Sequence, residues 1–434
     1  MSASASAMLT MSNTAPAFLR YRAAAMLIVV ATALMMLAPV PTAAADVNFK
    51  TWLASLWPDA QRLGISRATF DAATQGLKPN LKLPDLDIPG RPKHHRRAQA
   101  EFVSTPAEYL KESRLRNLAR YGRKLAAKHR DTLKAIEKRF GVPGEVVLAI
   151  WGRETDFGRY RLPHNALRVL ATQGYTGKRK EHFRKEFLYA MKLLEDGYAK
   201  KSDMRSSWAG AMGLTQFLPS ELYKHGVDMD GDGRIDIWRS VPDALASAAK
   251  QLHNKGWQTG KRWSYEAHLP KRGIDCTIAE PNHTRPLAEW LEAGYKPTFN
   301  RKPSPEELDA PTSLILPSGL YGPAFLISKN YFVIKDYNFS DLYVLFVGSL
   351  ADRIATKRGF EIPWGRVTQM RTKHLEEMQR HLAALGYYKD KIDGKAGMKT
   401  RAAVGAFQKK QRLKLDCWPT QATLKAMRKK TGSK

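Results

Sequence analysis

The chain has 434 residues, of which 43% are hydrophobic and 26% charged, enough apolar material for at least one large core, so low-complexity, fibrous and disordered classes are excluded. Lysine and arginine number 71 against 41 acidic residues, a formal charge of +30, which points to an anionic partner: nucleic acid, a membrane surface or an acidic polymer. At about 100 to 200 residues per domain the length suggests two or three domains.

The first 45 residues set the expected compartment. Arg20 and Arg22 precede an uncharged apolar run from Ala23 to Ala38, and Ala43-Ala-Ala45 follows before Asp46, the pattern of a cleavable secretory signal peptide. The run is shorter than the ~20 apolar residues of a membrane-spanning helix, so no transmembrane anchor is expected after cleavage. Removing 1–45 takes away two basic residues and leaves a charge of +28. Export argues against nucleic acid as the partner. Only Cys276 and Cys417 occur, which excludes a disulfide scaffold and a Cys-rich metal site; a single bridge is allowed in an oxidising compartment but is not the expectation.

From Trp52 to about Ala127 the pattern is helical with breaks, and Lys78 to Arg97, rich in Pro, Lys and Arg, is expected to be irregular. Tyr109, Leu110, Leu115, Leu118, Tyr121 and Leu125 restore helical periodicity. Gly-Val-Pro143-Gly-Glu145 then opens a helix through Trp151 that carries Glu154 at its far end, with Pro near the first turn and an acid soon after. Further helices are expected over Phe183–Tyr198 and Pro242–His253, and a loop over Pro297–Pro311. Ser313-Leu-Ile-Leu, Ala324-Phe-Leu-Ile and Phe332-Val-Ile, separated by Pro and Gly, predict a small sheet. Residues 371–430, with 16 basic and 5 acidic side chains, read as a separate C-terminal module.

Two stretches could carry chemistry. In Trp151-Gly-Arg-Glu154-Thr-Asp-Phe-Gly158 a carboxylate ends an apolar helix among aromatics and glycines, a setting that disfavours the charged form and suits a general acid. The same residues also fit a helix-end glutamate paired with Arg153 or Arg159. Ser207-Trp-Ala-Gly-Ala-Met-Gly213-Leu-Thr-Gln216-Phe-Leu-Pro-Ser220 is a small-residue segment that can approach a ligand closely and offer hydroxyl and amide groups to sugars, or serve as tight packing.

In this order the two stretches resemble the B-type lytic murein transglycosylases, whose catalytic domain is lysozyme-like. The resemblance runs from about Phe49 to Ile362 and includes Leu167-Arg-Val-Leu-Ala-Thr172 and Tyr337-Asn338 with Tyr343. It implies that Glu154 is the sole catalytic acid/base and that Ser207, Gln216, Tyr337, Asn338 and Tyr343 line a glycan cleft. A basic pair of the family falls on Lys178-Arg179, where Arg179 is the better match. Taken from the residues alone, Tyr337 and Tyr343 fit core or rim aromatics equally well.

Counting carboxylates bears on mechanism. Ordinary glycosidases flank the scissile bond with two, ~5 to 5.5 Å apart when retaining and ~6.5 to 9.5 Å when inverting. Asp156 is a poor second, because residues two apart on a helix face different ways. The resemblance implies cleavage without water: Glu154 protonates the bond between N-acetylmuramic acid and N-acetylglucosamine, then takes the proton of the muramyl 6-hydroxyl as it closes a 1,6-anhydro ring. No cofactor is needed for that chemistry.

Asp228-Met-Asp230-Gly-Asp232-Gly233-Arg234-Ile-Asp236 places hard oxygen donors at positions 1, 3, 5 and 9 of a calcium-type loop, the carbonyl of Arg234 at position 7 and Gly at the sharp turn. Position 12 is Arg239 instead of Glu, and the resemblance implies that Asp243 closes the site. A bound Ca²⁺ would be structural; the alternative is a metal-free acidic turn stapled by Arg234 and Arg239.

In the C-terminal module, Ile392-Asp393-Gly-Lys-Ala-Gly397 and Thr400-Arg-Ala-Ala-Val-Gly-Ala-Phe407-Gln408 resemble the three-helix peptidoglycan-binding domain, and Leu415-Asp416 with Pro419-Thr420 looks like a degenerate second copy. Gly394 and Gly397 are expected to form a tight turn, Thr400 to cap a helix, and Val404 with Phe407 to be buried. A net charge of +11 would hold the module on an anionic wall, with Asp393 and Tyr387 as candidates for direct contact.

The expected fold is mainly α: a lysozyme-like α+β catalytic domain with a small β segment over 46–365, and a three-helix module over 366–434, after a signal peptide at 1–45. The expected protein is a periplasmic peptidoglycan lytic transglycosylase whose partners are glycan strands and other cell-wall enzymes. A non-catalytic wall-binding scaffold and a hydrolytic muramidase are the alternatives, and a nucleic-acid binder finds no supporting motif.

Overall fold

The buried side chains lie chiefly on helices whose apolar residues recur at three- and four-residue spacing, seen in a computed structural model that describes residues 42–88 and 103–432. Two compact units divide the chain at Ser55. The first holds one described helix, α1 (Thr42–Ser55), in which the expected Ala43–Ala45 cleavage site falls; the basic and apolar parts of the expected leader lie outside the described residues. Among the described residues no helix is long and apolar enough to cross a membrane.

The second unit begins with the short helices α2 (Trp57–Arg62) and α3 (Arg67–Thr74). Residues 75–88 form turns and irregular backbone as expected, and the rest of the Pro- and Lys-rich stretch lies outside the described residues. Next come α4 (Glu112–Lys128), α5 (Arg130–Phe140) and α6 (Gly144–Thr155). Pro143 precedes the first turn of α6 and Glu145 lies within it, while Asp156 ends it in a left-handed conformation, φ 53°. Every residue from Val146 to Gly152 is buried, so α6 is apolar around its circumference and other helices must surround it.

Then follow α7 (Ala166–Thr176), α8 (Lys180–Glu195), α9 (Pro219–His225) and α10 (Val241–Asn254), with a two-residue pairing between β1 (His164–Asn165) and β2 (Arg205–Ser206). A small sheet comes next. Its strands are β3 (Ser264–His268), β4 (Thr284–Pro286), β5 (Lys296–Pro297), β6 (Pro311–Ile315) and β8 (Ala324–Ile327), in the antiparallel order β4-β6-β8-β3-β5; β7 (Pro317–Leu320) lies beside it. Within the loop expected over Pro297–Pro311 the chain makes single helical turns, one of them capped by Ser304.

One expected strand is a helix. Phe332-Val-Ile lies inside α11 (Lys329–Tyr337), started by the Ser328 side chain accepting from the Asn330 N–H. The β-branched pair suggested a strand, but burial of Asn330, Tyr331, Val333 and Ile334 against neighbouring helices decides for helix. A second helix buried nearly all round, α12 (Asp341–Thr356), packs on α4 and α6.

The C-terminal module is α13 (Thr372–Ala384), α14 (Met398–Lys410) and α15 (Gln421–Thr431), around Leu375, Met378, Val404, Phe407 and Leu424. Its two glutamines do the same work twice. Gln379 Oε1 accepts the N–H groups of Asp393 (2.9 Å) and Gly394 (2.8 Å), and Gln408 Oε1 those of Asp416 (3.1 Å) and Cys417 (2.9 Å). That parallel gives the degenerate second copy a structural basis. Gly394 turns with φ 69° as expected, but Thr400 does not cap α14: Gly397 is the N-cap, and the Thr400 hydroxyl donates to Lys395 O at 3.0 Å.

Contrary to expectation, Cys276 and Cys417 are bonded to each other. Their separation of 141 residues gave no sign that the turn at Cys276–Ile278 packs against α14, where the Lys409–Asp275 ion pair (2.7 Å) and the Tyr321–Asp416 hydrogen bond (2.8 Å) join the same surfaces. Gly405 makes the approach possible, since a Cβ there would lie 2.1 Å from Cys417 Sγ. Closing so long a loop restricts the unfolded chain strongly. The Cys276→Ser, Cys417→Ser double variant should lose about 2 to 4 kcal/mol of stability in urea unfolding, and an unchanged midpoint would show that the bridge contributes nothing.

Candidate active site

The last turn of α6 carries Glu154, partly exposed at the edge of a helix otherwise enclosed. The first turn of α12 carries Tyr343, 1% exposed, and its hydroxyl donates to Glu154 Oε1 at 2.5 Å. Desolvation and the adjacent Glu154 charge hold the Tyr343 hydroxyl well above the usual tyrosine pKa, so it remains a donor.

Of the two partners that the sequence suggested for Glu154, Arg153 lies within reach of its charge and also bonds Tyr109, while Arg159 is paired with Asp156. Arg153 bonds the Tyr109 hydroxyl at 2.6 Å and lies over the rings of Tyr343 and Phe346. Burial opposes its charge, but Tyr109, Glu154 and Tyr343 outweigh that and its pKa stands above the usual arginine value. Arg159 pairs with Asp156 at 2.7 Å and caps the face of Tyr121. Because α6 ends at Thr155, Asp156 is not on a helix face and does line the same cleft as Glu154, which corrects the sequence-based argument; Arg159 compensates its charge.

The small-residue segment folds into a compact double turn held to α6. Thr155 Oγ1 donates to Leu214 O at 2.7 Å and accepts the Gly158 N–H at 3.1 Å, joining both stretches. Ser207 Oγ accepts from the Ala211 N–H at 3.3 Å, and Met212 bridges both Ser206 and Phe217. Gly213, φ 72°, turns against Ile237, whose carbonyl oxygen would lie 2.8 Å from a Cβ. Gln216 is left-handed at φ 59°, and its Nε2 donates to Gly213 O at 3.1 Å. A strained non-glycine backbone at the centre of such a turn is a feature of ligand-binding segments.

Tyr337, at the end of α11, donates to Thr215 O at 2.6 Å; desolvation and the charge of Glu154 keep its hydroxyl protonated. Asn338 follows α11 and its Oδ1 accepts the Ser340 N–H at 3.2 Å. Glu154, Tyr343, Tyr337 and the Ser207–Gln216 turn are thus joined by α6, α11 and α12. Arg179 stands apart, exposed at the start of α8 and lying over Phe183, and neither it nor Ser207, Gln216, Tyr337, Asn338 or Tyr343 lines the cleft that opens beside Glu154.

That cleft, of about 970 Å³, has a wall that the sequence reading missed. It is formed by Lys111, Arg114, Asn117, Arg120, Tyr121 and Lys124 of α4 and its lead-in. The signal was present as cations at three- and four-residue spacing opposite the buried stripe Leu115, Leu118, Gly122 and Leu125. Tyr109 left no such signal.

The acidic loop is preorganised. Carboxylate oxygens of Asp228, Asp230 and Asp232 lie within 4.8 Å of one another. Asp243, fully buried, accepts the N–H groups of Met229 (2.8 Å) and Asp236 (2.9 Å), and Asp236 accepts from Arg239 at 3.1 Å. Asp243 therefore braces the loop from behind, while three oxygen donors converge at its mouth. That donor set suits a hard cation.

Residues 48–352 match the family described as the transglycosylase SLT domain, and residues 371–427 the putative peptidoglycan-binding domain. Membrane-bound lytic murein transglycosylase B of Escherichia coli K12 is 33% identical over 147 residues, a stretch covering 34% of this chain and 40% of that relative's length. SltB3 of Pseudomonas aeruginosa, crystallised with NAG-NAM-pentapeptide, superposes with a TM-score of 0.75 at 35% identity, over 88% of this chain and 99% of that one. Its complex with NAG-anhNAM-pentapeptide gives 0.72 at 34% identity and the same coverage. Across most of its length, then, the chain belongs to the transglycosylase SLT family.

Proposed function

We propose that the protein is an exported peptidoglycan lytic transglycosylase that cleaves the β-1,4 bond between N-acetylmuramic acid and N-acetylglucosamine without water, leaving 1,6-anhydro-muramyl ends. The observation that supports this is that, of the two carboxylates lining the cleft, Glu154 accepts a hydrogen bond from a buried tyrosine while Asp156 is paired to Arg159. The relative SltB3 has been crystallised with both an intact and an anhydro-muramyl peptide, which supports the same chemistry here.

In this mechanism protonated Glu154 gives its proton to the glycosidic oxygen as the C1–O bond breaks. The resulting carboxylate then takes the proton of the muramyl 6-hydroxyl, whose oxygen bonds to C1. Attack from within the substrate supplies roughly 7 to 11 kcal/mol through proximity, so no second carboxylate has to position water. Tyr343 donates to Glu154 Oε1 and holds the carboxylate at the edge of the cleft. The turn from Ser207 to Gln216, with Tyr337 and Asn338, supplies the glycan contacts, and Arg179 a contact farther along the strand.

The domain limits that accompany this reading are a signal peptide at 1–45, the catalytic domain at 46–365 and a wall-binding domain at 366–434. The location is the periplasm, and the partners are glycan strands with other cell-wall enzymes. No cofactor takes part in the chemistry. Asp228, Asp230 and Asp232, with the Arg234 carbonyl, would hold a structural Ca²⁺ whose charge offsets repulsion within the loop, while the Asp236 and Asp243 carboxylates brace the loop through hydrogen bonds.

Mass spectrometry of the material released from purified peptidoglycan should show muropeptides lacking one water, and none from the Glu154→Gln protein. Reducing-end products would instead establish hydrolysis, with Asp156 the first carboxylate to test. Tyr343→Phe should lower kcat by about 10- to 100-fold, the value of one hydrogen bond to a charged group, while the protein stays folded. Ca²⁺ at a hundredfold excess over its Kd should stabilise the protein by about 2.7 kcal/mol, and Asp230→Asn should abolish that gain in thermal unfolding.

A further inference from the structure

Tyr343 takes its position from the first turn of α12, and the carboxylate of Asp341, the first residue of that helix, anchors the turn. Ser340, the N-cap, makes no side-chain capping bond. Asp341 complements the positive end of the helix, and its Oδ1 accepts from the Tyr331 hydroxyl at 3.0 Å and from Lys335 Nζ at 2.5 Å, both on α11. The same α11 ends in Tyr337, whose hydroxyl bonds Thr215 O. Tyr337 and Tyr343, which both feel the charge of Glu154, are thus tied through their helices to one carboxylate.

The other oxygen of Asp341 faces the C-terminal module. Arg401 Nη2 lies 3.9 Å from Asp341 Oδ2 and makes no hydrogen bond among the described residues. Arg401 is only 7% exposed, and its Nη1 donates to Ala396 O at 2.5 Å, in the turn that leads into α14. A guanidinium buried this deeply is costly without a negative charge beside it, and Asp341 is the acid that pairs with it. Packing does not complete the junction. A cavity of about 250 Å³ lies there, lined by Lys335, Phe339 and Asp341 from one side and by Tyr388, Thr400 and Arg401 from the other. Across that gap the attraction of two cations for one carboxylate does what contact does not.

We propose that Arg401 is a positioning residue for the catalytic acid: through Asp341 it fixes the first turn of α12, and with it the hydrogen bond from Tyr343 to Glu154. The inference rests on the glycan-cleaving reading above and gives the C-terminal module a part in turnover. Arg401 itself touches no substrate in this scheme. The link runs from Arg401 to Asp341, along the first turn of α12 to Tyr343, and across to Glu154 Oε1 at 2.5 Å. A misplacement of about 1 Å in a catalytic group can cost about a hundredfold in rate, so a partial loosening of this link is expected to cost about tenfold.

The test is made in the full chain with a soluble tetrasaccharide of alternating N-acetylglucosamine and N-acetylmuramic acid carrying peptide stems, so that the rate does not depend on capture by insoluble wall. Arg401→Met, similar in length but uncharged, should lower kcat about tenfold and leave KM within about twofold. Arg401→Lys should recover most of the rate, because charge carries the contact. In a Tyr343→Phe background the Arg401→Met change should cost less than about twofold, since the bond through which it acts is already gone. Asp341→Asn should reproduce the same pattern from the catalytic side. Circular dichroism at the assay temperature gives the folded fraction of each variant. A fall in rate that matches a fall in folded protein, an equal loss in both backgrounds, a change confined to KM, or no change would overturn the role of Arg401 and leave that of Glu154 standing. Absence of anhydro-muramyl product from the unsubstituted protein would overturn the glycan-cleaving reading and this inference together.

Discussion

The helix that ends in Glu154 is apolar on every side, and the arrangement of the catalytic unit follows from that. A helix with no polar face has to be enclosed, and α12, itself buried nearly all round, is one of the partners that encloses it. Their contact puts the last turn of one helix beside the first turn of the other. Glu154 and Tyr343 meet there at 2.5 Å, so a single hydrogen bond fixes a carboxylate at the boundary between core and solvent. A side chain placed this way cannot drift without disturbing two core helices, which is the preorganisation that acid-base chemistry requires.

Around that boundary the polar groups are mostly committed. Thr155 ties α6 to the small-residue turn, Tyr337 ties the turn to α11, and Arg153 spends its hydrogen bonds on Tyr109. The exposed cations of α4 differ in kind: they line the cleft with few acids beside them.

The C-terminal module is not a loose appendage. Arg401 is buried, with its Nη2 3.9 Å from Asp341 Oδ2 at the start of α12, and the Cys276–Cys417 bridge and the Asp275–Lys409 pair lie nearby on the module's surface. A module fixed in this way keeps one orientation to the helix that carries Tyr343. A flexible tether would only raise the local concentration of substrate.

The sequence determined what depends on local order. The start of α6, the position of Glu154 at its end, the acidic loop and the repeated module motif could all be read from spacing, because capping, periodicity and short-range ligand patterns are properties of neighbouring residues. The tertiary structure decided what depends on distant segments meeting. Phe332-Val-Ile became helix through packing, Asp156 joined the cleft because its helix stopped one residue earlier, and Cys276 found Cys417 across 141 residues. The partnership of Glu154 with Tyr343, 189 positions away, belongs to the same class: no local pattern encodes which buried helix will lie against another, since that is settled by how the apolar surfaces pack as a whole.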